Sequence, residues 1–600
     1  MLDQQATPLG ESSTTASTRG WDTVYAVTFD KVNSAIAQAQ SSPDDFDEPG
    51  EDGESLTGIF GDWALTSGAG HLLGMSLPVP ELTLNLRDLA GDLQTYVRQG
   101  VTIDISLQLD CVPQPDTDDR AEKTDKSGLI TGGQMHEFRV RLPQSAPLAN
   151  RLGAVSAVAV LNVTYPAMSG THTQPASTDP AEQENVAAIN LMFTSWINDP
   201  LNLGEFNHAF AAVNLNGRIS EKTREEQGDF TWLLPVHTTY SVISEGSATG
   251  IFAVLCMCED PEDGAEPRPV PTTTDISPTA IPEGQSAAFL ISKERFLSKL
   301  ILPGAATSFA KPEGDDSGAQ WPADYFEVVA SGNMIRNTRP LEMPDFKGRE
   351  KDKPTTATLP ANGFNLTFED HYLEIRYQDF KHPFWWFWYE ANHTFSTKLD
   401  VALDPRSRFS LIPLADDDTA FHSATLTKTS TGQVVDTVLL VVDILTILAP
   451  FAAAGWGVMT KTAPKVAAET TEASVKIASK TAKGSAEAGG KIIAAGAKEL
   501  TKKGGSGLSS LMSTKVAALW GGATAVMSGV LIADQIYQWA ADGSDAAKNR
   551  LPDFREFAAK VMAPVEWPAS DALDVQTIAL NGAFQVAGEP VNAGPSGADT

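Results

Sequence analysis

The stretch Val101-Thr102-Ile103-Asp104-Ile105-Ser106-Leu107-Gln108-Leu109 alternates apolar and polar side chains throughout. Successive side chains of an extended strand point to opposite faces, so a single strand sends all the aliphatic residues one way and the polar ones the other. The segment therefore reads as a half-buried β-strand. The same period recurs at Leu82, Leu84 and Leu86, at Phe138, Val140 and Leu142, and at Phe395, Thr397, Leu399, Val401 and Leu403. From about residue 58 to residue 410 this texture dominates, which predicts long antiparallel strands whose sheets carry one apolar and one solvated face. Residues 111–128, 171–184 and 260–282 are too polar and turn-rich to be core. The last of these is rich in proline and is the expected junction between two β units.

A sheet with one apolar face needs a second layer to cover it. Phe29, Val32 and Ile36 recur at helical spacing, and so do Phe554, Phe557 and Val561 after Leu551-Pro552-Asp553, where proline suits a helix start. These two amphipathic helices are the candidates to pack on the sheet. Between the first helix and the β region lies an acidic block, residues 41–54, with carboxylates at Asp44, Asp45, Asp47, Glu48, Glu51, Asp52 and Glu54. It is expected to be a solvated loop.

The chain has 44 basic and 76 acidic residues, a net charge of −32, with 42% hydrophobic residues. That balance describes a globular protein and argues against nucleic acid as a partner, since a surface of this sign repels phosphate. One region reverses the sign: residues 461–503 carry nine lysines and four glutamates. It lies between two apolar segments, 437–459 and 516–533, each long enough to cross a bilayer core of about 30 Å as a helix. A helical hairpin buried on the β body and a membrane-inserting hairpin both fit these segments. Asp443 fits a partly wet helix face as well as a proton site.

Catalytic chemistry leaves little trace. None of the common hydrolase, nucleotide or metal motifs is present, and residues 484–491 resemble a phosphate loop only superficially. His371, His382 and His393 recur at an odd interval that places neighbours on opposite strand faces. Three cysteines, Cys111, Cys256 and Cys258, are too few to staple 600 residues, and the close pair lacks a second ligand pair for zinc. Neither metal nor cofactor is expected. The first 19 residues have neither a basic n-region nor an apolar h-region, so a classical signal peptide is not expected. The expected location is the cytoplasm of the producing cell, with release by a non-classical route as the alternative. The densest aromatic run, Phe384-Trp385-Trp386-Phe387-Trp388-Tyr389, would present large rings on both faces of a strand. Packing under a second layer and contact with lipid or a partner are the two readings of the outer face.

Several short patches, in order, resemble one known family. They are Gly20-Trp21-Asp22-Thr23-Val24-Tyr25-Ala26-Val27 with Val32-Asn33, then Phe60-Gly61-Asp62-Trp63 and Gly68-Ala69-Gly70-His71-Leu72-Leu73. Phe289-Leu290-Ile291-Ser292-Lys293, Leu373-Glu374-Ile375, Pro564-Val565-Glu566-Trp567-Pro568 and Leu580-Asn581-Gly582-Ala583-Phe584-Gln585-Val586 continue the series. The chain is similar to the OrfX-type and forty-seven-kilodalton accessory proteins encoded beside clostridial neurotoxin genes, of the tubular lipid-binding (TULIP) type. This resemblance implies a β-rich α+β fold in which long curved antiparallel sheets wrap around long helices, here with an added α-helical insertion. It also implies a non-enzymatic helper whose partners are other proteins of a toxin-like gene cluster and a lipid or phosphoinositide-containing membrane surface.

The expected organisation is a disordered tail over 1–19, a first β/helix unit over 20–270 and a second β unit over 283–433. A helical hairpin insertion over 434–545 and a closing helix and strand over 546–590 complete it. The expected lipid or membrane contacts are Phe384, Trp385, Trp386, Trp388, Leu445, Trp456, Trp520 and Val526. The expected anionic head-group contacts are Lys461, Lys465, Lys476, Lys480, Lys483, Lys491 and Lys498. A bound lipid is the one small molecule expected. The alternatives are a membrane-inserting or pore-forming toxin component built on 437–533, and an assembly factor whose partners are only proteins.

Overall fold

The computed structural model describes residues 15–88, 90–113, 123–124, 130–131, 134–142, 158–164, 180–215, 232–244, 250–258, 269–306, 309–329, 331–346, 355–384, 389–403, 409–413, 420–428, 565–568 and 570–592. The chain divides into two compact units. Unit 1 is Met1–Ser292 with Ala558–Thr577 and Gln585–Thr600, and unit 2 is Lys293–Phe557 with Ile578–Phe584.

In chain order the elements up to residue 140 are β1 (Thr23–Thr28), α1 (Phe29–Ala39), β2 (Asp45–Pro49), β3 (Ser55–Ile59), β4 (Ala64–Gly70), β5 (Leu72–Arg87), β6 (Leu93–Leu107), β7 (Leu109–Pro113), β8 (Lys123–Thr124), β9 (Ile130–Thr131) and β10 (Gln134–Val140). They are followed by β11 (Ala159–Thr164), α2 (Pro180–Ile197), α3 (Pro200–Glu205), β12 (Ala211–Leu215), β13 (Pro235–Ile243), β14 (Ile251–Cys258) and β15 (Ala287–Ile291). Then come β16 (Phe326–Val328), β17 (Met334–Asn337), β18 (Leu341–Phe346), β19 (Thr355–Leu359), β20 (Phe364–Phe368), β21 (Leu373–Phe384), β22 (Tyr389–Leu403), β23 (Phe409–Pro413) and β24 (Ala420–Lys428). The last described strands are β25 (Val565–Glu566), β26 (Ser570–Leu580) and β27 (Phe584–Asn592).

Large antiparallel sheets dominate, as the alternating sequence predicts. Among the described residues the largest sheet runs β11-β6-β5-β4-β13-β14-β1-β15-β27-β26, with β3 and β2 attached to β5. Its longest pairing, β5 with β6, runs from Leu73↔Leu107 to Arg87↔Leu93. Along β6, Val101, Ile103, Ile105 and Leu107 are buried while the intervening residues are half-buried. At the centre the pattern changes. Every residue of β1, β14 and β15 is buried, because both faces of the sheet are covered there. Ile251-Phe252-Ala253-Val254-Leu255-Cys256-Met257-Cys258 accordingly reads as one continuous apolar run rather than an alternation. A smaller sheet of order β25-β12-β10-β7 and the two-stranded pair β8-β9 are the other described ladders of unit 1. In unit 2 the sheet runs β16-β17-β20-β21-β19-β18, with β22 joining β21 to β23 and β24.

Helix α1 presents Phe29, Val32, Ala35 and Ile36 to the interior and leaves Asp30 and Gln38 in solvent. It ends at Gln40, whose left-handed φ of 47° lets the next residue, Ser41, return its N–H to Ile36 O at 3.3 Å. Asn33 then fixes the helix to the sheet: its Nδ2 donates to Leu65 O at 3.0 Å and its Oδ1 accepts from Leu65 N at 2.7 Å.

Several sequence expectations need correction. The acidic block is not wholly a loop, since Asp45–Pro49 forms β2, in register with β3 from Asp45↔Ile59 to Pro49↔Ser55. Phe46 is the cause: it is 3% exposed and its ring lies 4.8 Å from that of Phe60 and 5.3 Å from that of Phe193. Asp45 and Asp47 alternate outward. The tail assigned to 1–19 is partly packed, with Ala16 and Thr18 buried. The boundary between units falls after Ser292, not within 260–282, because β15 pairs with β1 from Thr23↔Ile291 to Val27↔Ala287. Helix α2 begins inside a stretch expected to be turn. It has Asn185, Ile189, Phe193, Trp196 and Ile197 buried at helical spacing.

Candidate functional site

The chain's own rings run in series through the interior of unit 1. Phe46, Phe60, Phe193 and Trp196 meet at one end, with centroids 4.8–6.2 Å apart. Phe60 leads to Trp63, Trp63 stacks on Phe206 at 4.7 Å, and Phe206 contacts both His208 and Phe210. Phe210 continues to Phe252, which touches Tyr240 and Trp567. Each such contact adds about 0.5–1.5 kcal/mol beyond the area buried.

Where this series reaches α1 it leaves a cleft of about 120 Å³. Val32 and Ala35 of α1 and Val27 of β1 form an apolar wall, faced by Phe210, Trp567 and Pro568. Lys31, Ser34 and Gln38 also line it, together with Pro590 of β27. Strand β1 feeds directly into α1, so Val27 and Val32 reach the same cleft from consecutive elements. Phe210 precedes β12 and Trp567 follows β25, two strands paired at Val213↔Val565 and Ala212↔Glu566. That pairing brings residues more than 350 apart in sequence to one wall.

Two residues of the cleft wall each carry a ring nitrogen without a partner. Among the described residues, His208 Nε2 and Trp567 Nε1 are both buried without a hydrogen bond. The histidine is 3% exposed. Its Nδ1 lies 3.0 Å from Ser41 Oγ. The Ser41 hydroxyl also lies 3.2 Å from Ile36 O, to which it can donate. Burial, with a smaller effect from the Arg139 guanidinium, lowers the His208 pKa to about 4, which keeps the ring neutral at pH 7. Arg139 is itself held by Glu137 through Nε at 2.6 Å.

Lys31 pairs with Glu589 Oε2 at 3.2 Å, and Ser286 Oγ donates to the same oxygen at 2.5 Å. The serine hydroxyl first, then Lys31, hold the Glu589 carboxyl below its ordinary pKa. Lys31 thus lines the cleft as one half of an ion pair.

The residues singled out from sequence fall elsewhere. Phe29, Val32 and Ile36 are buried on α1, and only Val32 reaches the cleft. Phe384 ends β21 and pairs with Tyr389 at the start of β22, so the aromatic run is not one strand. Trp385, Trp386, Trp388, Leu445, Trp456, Trp520, Val526, Phe554, Phe557 and Val561 lie outside the described residues. The same holds for Lys461, Lys465, Lys476, Lys480, Lys483, Lys491 and Lys498, and for both apolar segments. Among the described residues no helix is long and apolar enough to cross a membrane, and no cluster of three metal-ligating side chains occurs. Sequence reasoning missed His208, whose only signal was the alternation Phe206-Asn207-His208-Ala209-Phe210.

Residues 18–346 match the family described as OrfX-like, Protein OrfX2/OrfX3/P47. Protein OrfX3 of Paraclostridium bifermentans is 26% identical over 309 residues, which is 50% of this chain and 56% of that protein. Protein OrfX3 of Clostridium botulinum (strain Kyoto / Type A2) is 26% identical over 320 residues, 52% of this chain and 57% of that protein. The chain thus spans a little over half the length of these curated relatives. P47 of Clostridium botulinum A2 matches in structure with a TM-score of 0.52 at 11% identity, covering 96% of this chain and 99% of that one. P47 of Clostridium botulinum E1 gives 0.52 at 12% identity over 95% and 99%. At such identity the two structures report on the fold.

Proposed function

The chain belongs to the OrfX-like family, and from that membership we propose that it is a non-enzymatic accessory component of a toxin-like assembly, acting on partner proteins through its surface. The observation that carries this reading is the continuous series of packed rings inside unit 1. From Phe46 to Trp567 its own rings occupy the space between sheet and helices, and the cleft left at α1 measures about 120 Å³. Small-molecule sites are typically about 300–1,000 Å³; a hollow of that size, about 520 Å³ beside Val186, Ala187 and Leu191 of α2, lies open to solvent rather than between sheet and helices, with Leu191 exposed. Native mass spectrometry of the whole protein, followed by organic extraction, tests the reading. A mass of 64.0 kDa without extracted lipid, together with a stable complex with OrfX-like partner proteins, is expected. Near-stoichiometric lipid would overturn it.

A second reading keeps the membrane as a partner, as the TULIP resemblance implies. It draws support from the sign reversal at residues 461–503 in a chain of net charge −32. Attraction to anionic head groups is worth up to about 1 kcal/mol per lysine near the surface. Flotation with anionic liposomes across a salt series, for the full chain and for a deletion of 461–503, tests it. Equal flotation of the two proteins would reject it.

A further inference from the structure

We propose that the outer stripe of α2 is a docking groove for a basic amphipathic helix of a partner protein. The groove supplies the accessory reading with a surface and rests on that reading. Six residues line the hollow beside the helix: Gln183, Val186, Ala187, Asn190, Leu191 and Thr194. They recur at i, i+3, i+4, i+7, i+8 and i+11, which places them on one face over about 17 Å of helix. A different face packs on the sheet. Asn185, Ile189, Phe193 and Trp196 are buried there, roughly a third of a turn away. A helix with apolar residues on two faces suits a second neighbour, yet Leu191 is 74% exposed. Among the described residues only Leu201 of α3, at 82%, is a more exposed large hydrophobic residue.

Shape and charge together name the occupant. A stripe along three turns of one helix offers straight ridges, the surface against which a second helix packs. Ala187 near its middle allows close approach, and Thr194 Oγ1 donates to Asn190 Oδ1 at 3.3 Å, so part of the polar content of the stripe is already paired. Helix α2 packs against β2, β3, β11 and α3. Together these five elements carry Asp45, Asp47, Glu48, Glu182, Glu184 and Glu205 and no lysine, arginine or histidine. Asp45, Asp47, Glu184 and Glu205 are exposed. The lack of cations extends along the chain, since residues 152–217 contain no lysine or arginine. A helix that lays aliphatic side chains on the stripe, with lysines or arginines beside them, meets a complementary field. A second copy of α2 would bring carboxylates against carboxylates, and an anionic bilayer would be repelled by the same groups.

The test uses the full chain and a fluorescent synthetic peptide of about 18 residues, built only from leucine and lysine with leucine at every third or fourth position. An isomer of the same composition without that period, and an acidic version with glutamate for lysine, are the controls. The periodic basic peptide is expected to bind saturably at one site per chain, read by anisotropy, with an affinity that falls as salt rises. Leu191→Asn, a change at an exposed side chain, is expected to weaken binding at least about tenfold, the factor that loss of one buried leucine contact produces. Glu184→Gln is expected to weaken it about two- to threefold at low salt. Both control peptides are expected to bind at least about tenfold more weakly than the periodic basic one. Unchanged affinity of Leu191→Asn would overturn the proposal, as would a control peptide that binds as tightly as the periodic basic one. So would a dimer of the chain in sedimentation that Leu191→Asn dissolves, which assigns the stripe to a second copy. Flotation with phosphatidylcholine vesicles that is lost in the same variant would overturn it too, assigning the stripe to a membrane. No protein of a toxin-like cluster enters these measurements, so their failure removes the groove and leaves the accessory reading to its own test by native mass.

Discussion

The side-chain amide of Asn33 occupies both backbone hydrogen-bonding groups of Leu65, donating to its carbonyl at 3.0 Å and accepting from its N–H at 2.7 Å. Leu65 lies on β4, which among the described residues pairs with β13 at Val242↔Gly70 and Ile243↔Ala69. Beyond that point β4 has an edge in need of partners, and α1 supplies one through a single residue. Helix and sheet are joined by polar complementarity as well as by the apolar stripe.

Asn33→Ala should therefore destabilise unit 1 by about 1–3 kcal/mol, since two backbone groups lose their partner at once. Asn33→Asp keeps the acceptor and should lose less. Urea midpoints of the two variants test the ranking, and a shift of Asn33→Ala below about 0.5 kcal/mol would show that water replaces the amide without loss.

Gly250 precedes β14 with φ +67°, and a Cβ there would meet Phe29 Cδ2 at 2.3 Å. Its carbonyl also accepts from Phe29 N at 3.2 Å. Gly250→Ala combines left-handed backbone strain of roughly 1–2 kcal/mol with displacement of a buried ring. A lowered thermal midpoint, partly restored by Phe29→Leu in the same chain, is the expected result.

Phe46 is the one ring that β2 contributes to the interior, so Phe46→Ala should cost about 3–5 kcal/mol. Asp47→Asn, on the exposed face of the same strand, should change stability by less than about 0.5 kcal/mol. Comparable effects from the two would contradict the alternation that makes this acidic segment a strand.

The His208 pKa is about 4 in the folded protein against 6.5 unfolded, so the unfolded state binds more protons between those values. Stability from this residue is complete above about pH 6.5 and falls as pH drops towards 4, by up to about 3 kcal/mol. His208→Phe should flatten the dependence of urea stability on pH between 5 and 7. The Glu589 contribution is lost only at lower pH, as the carboxyl protonates, so the two groups separate by window.

The parts of the fold legible in sequence are those governed by a local period. Val101, Ile103, Ile105 and Leu107 declare their strand, and Phe29, Val32 and Ile36 declare their helix, because spacing alone sets which face each occupies. Strand β2 was hidden since one ring, Phe46, outweighs its acidic neighbours only when Phe60, Phe193 and Trp196 surround it. The cleft was hidden for the same reason at longer range. His208 and Trp567 stand 359 residues apart, and nothing near either marks the other. Composition likewise drew attention to the run at 384–389, whereas the unpaired nitrogens sit singly among ordinary core rings.

Unit 1 places β1 between β14 and β15, and β15 next to β27. Gln585 Nε2 donates to Ala280 O across 305 positions of sequence, and Ser286 reaches Glu589 across 303. A ribosome adding about 5–20 residues per second takes on the order of tens of seconds to travel from β15 to β27. Throughout that interval the edge of β15 waits for a strand that has not yet been made, while unit 2 emerges. During synthesis, completion of unit 1 is thus a late event, and that edge is the place where the nascent protein most needs protection from its neighbours.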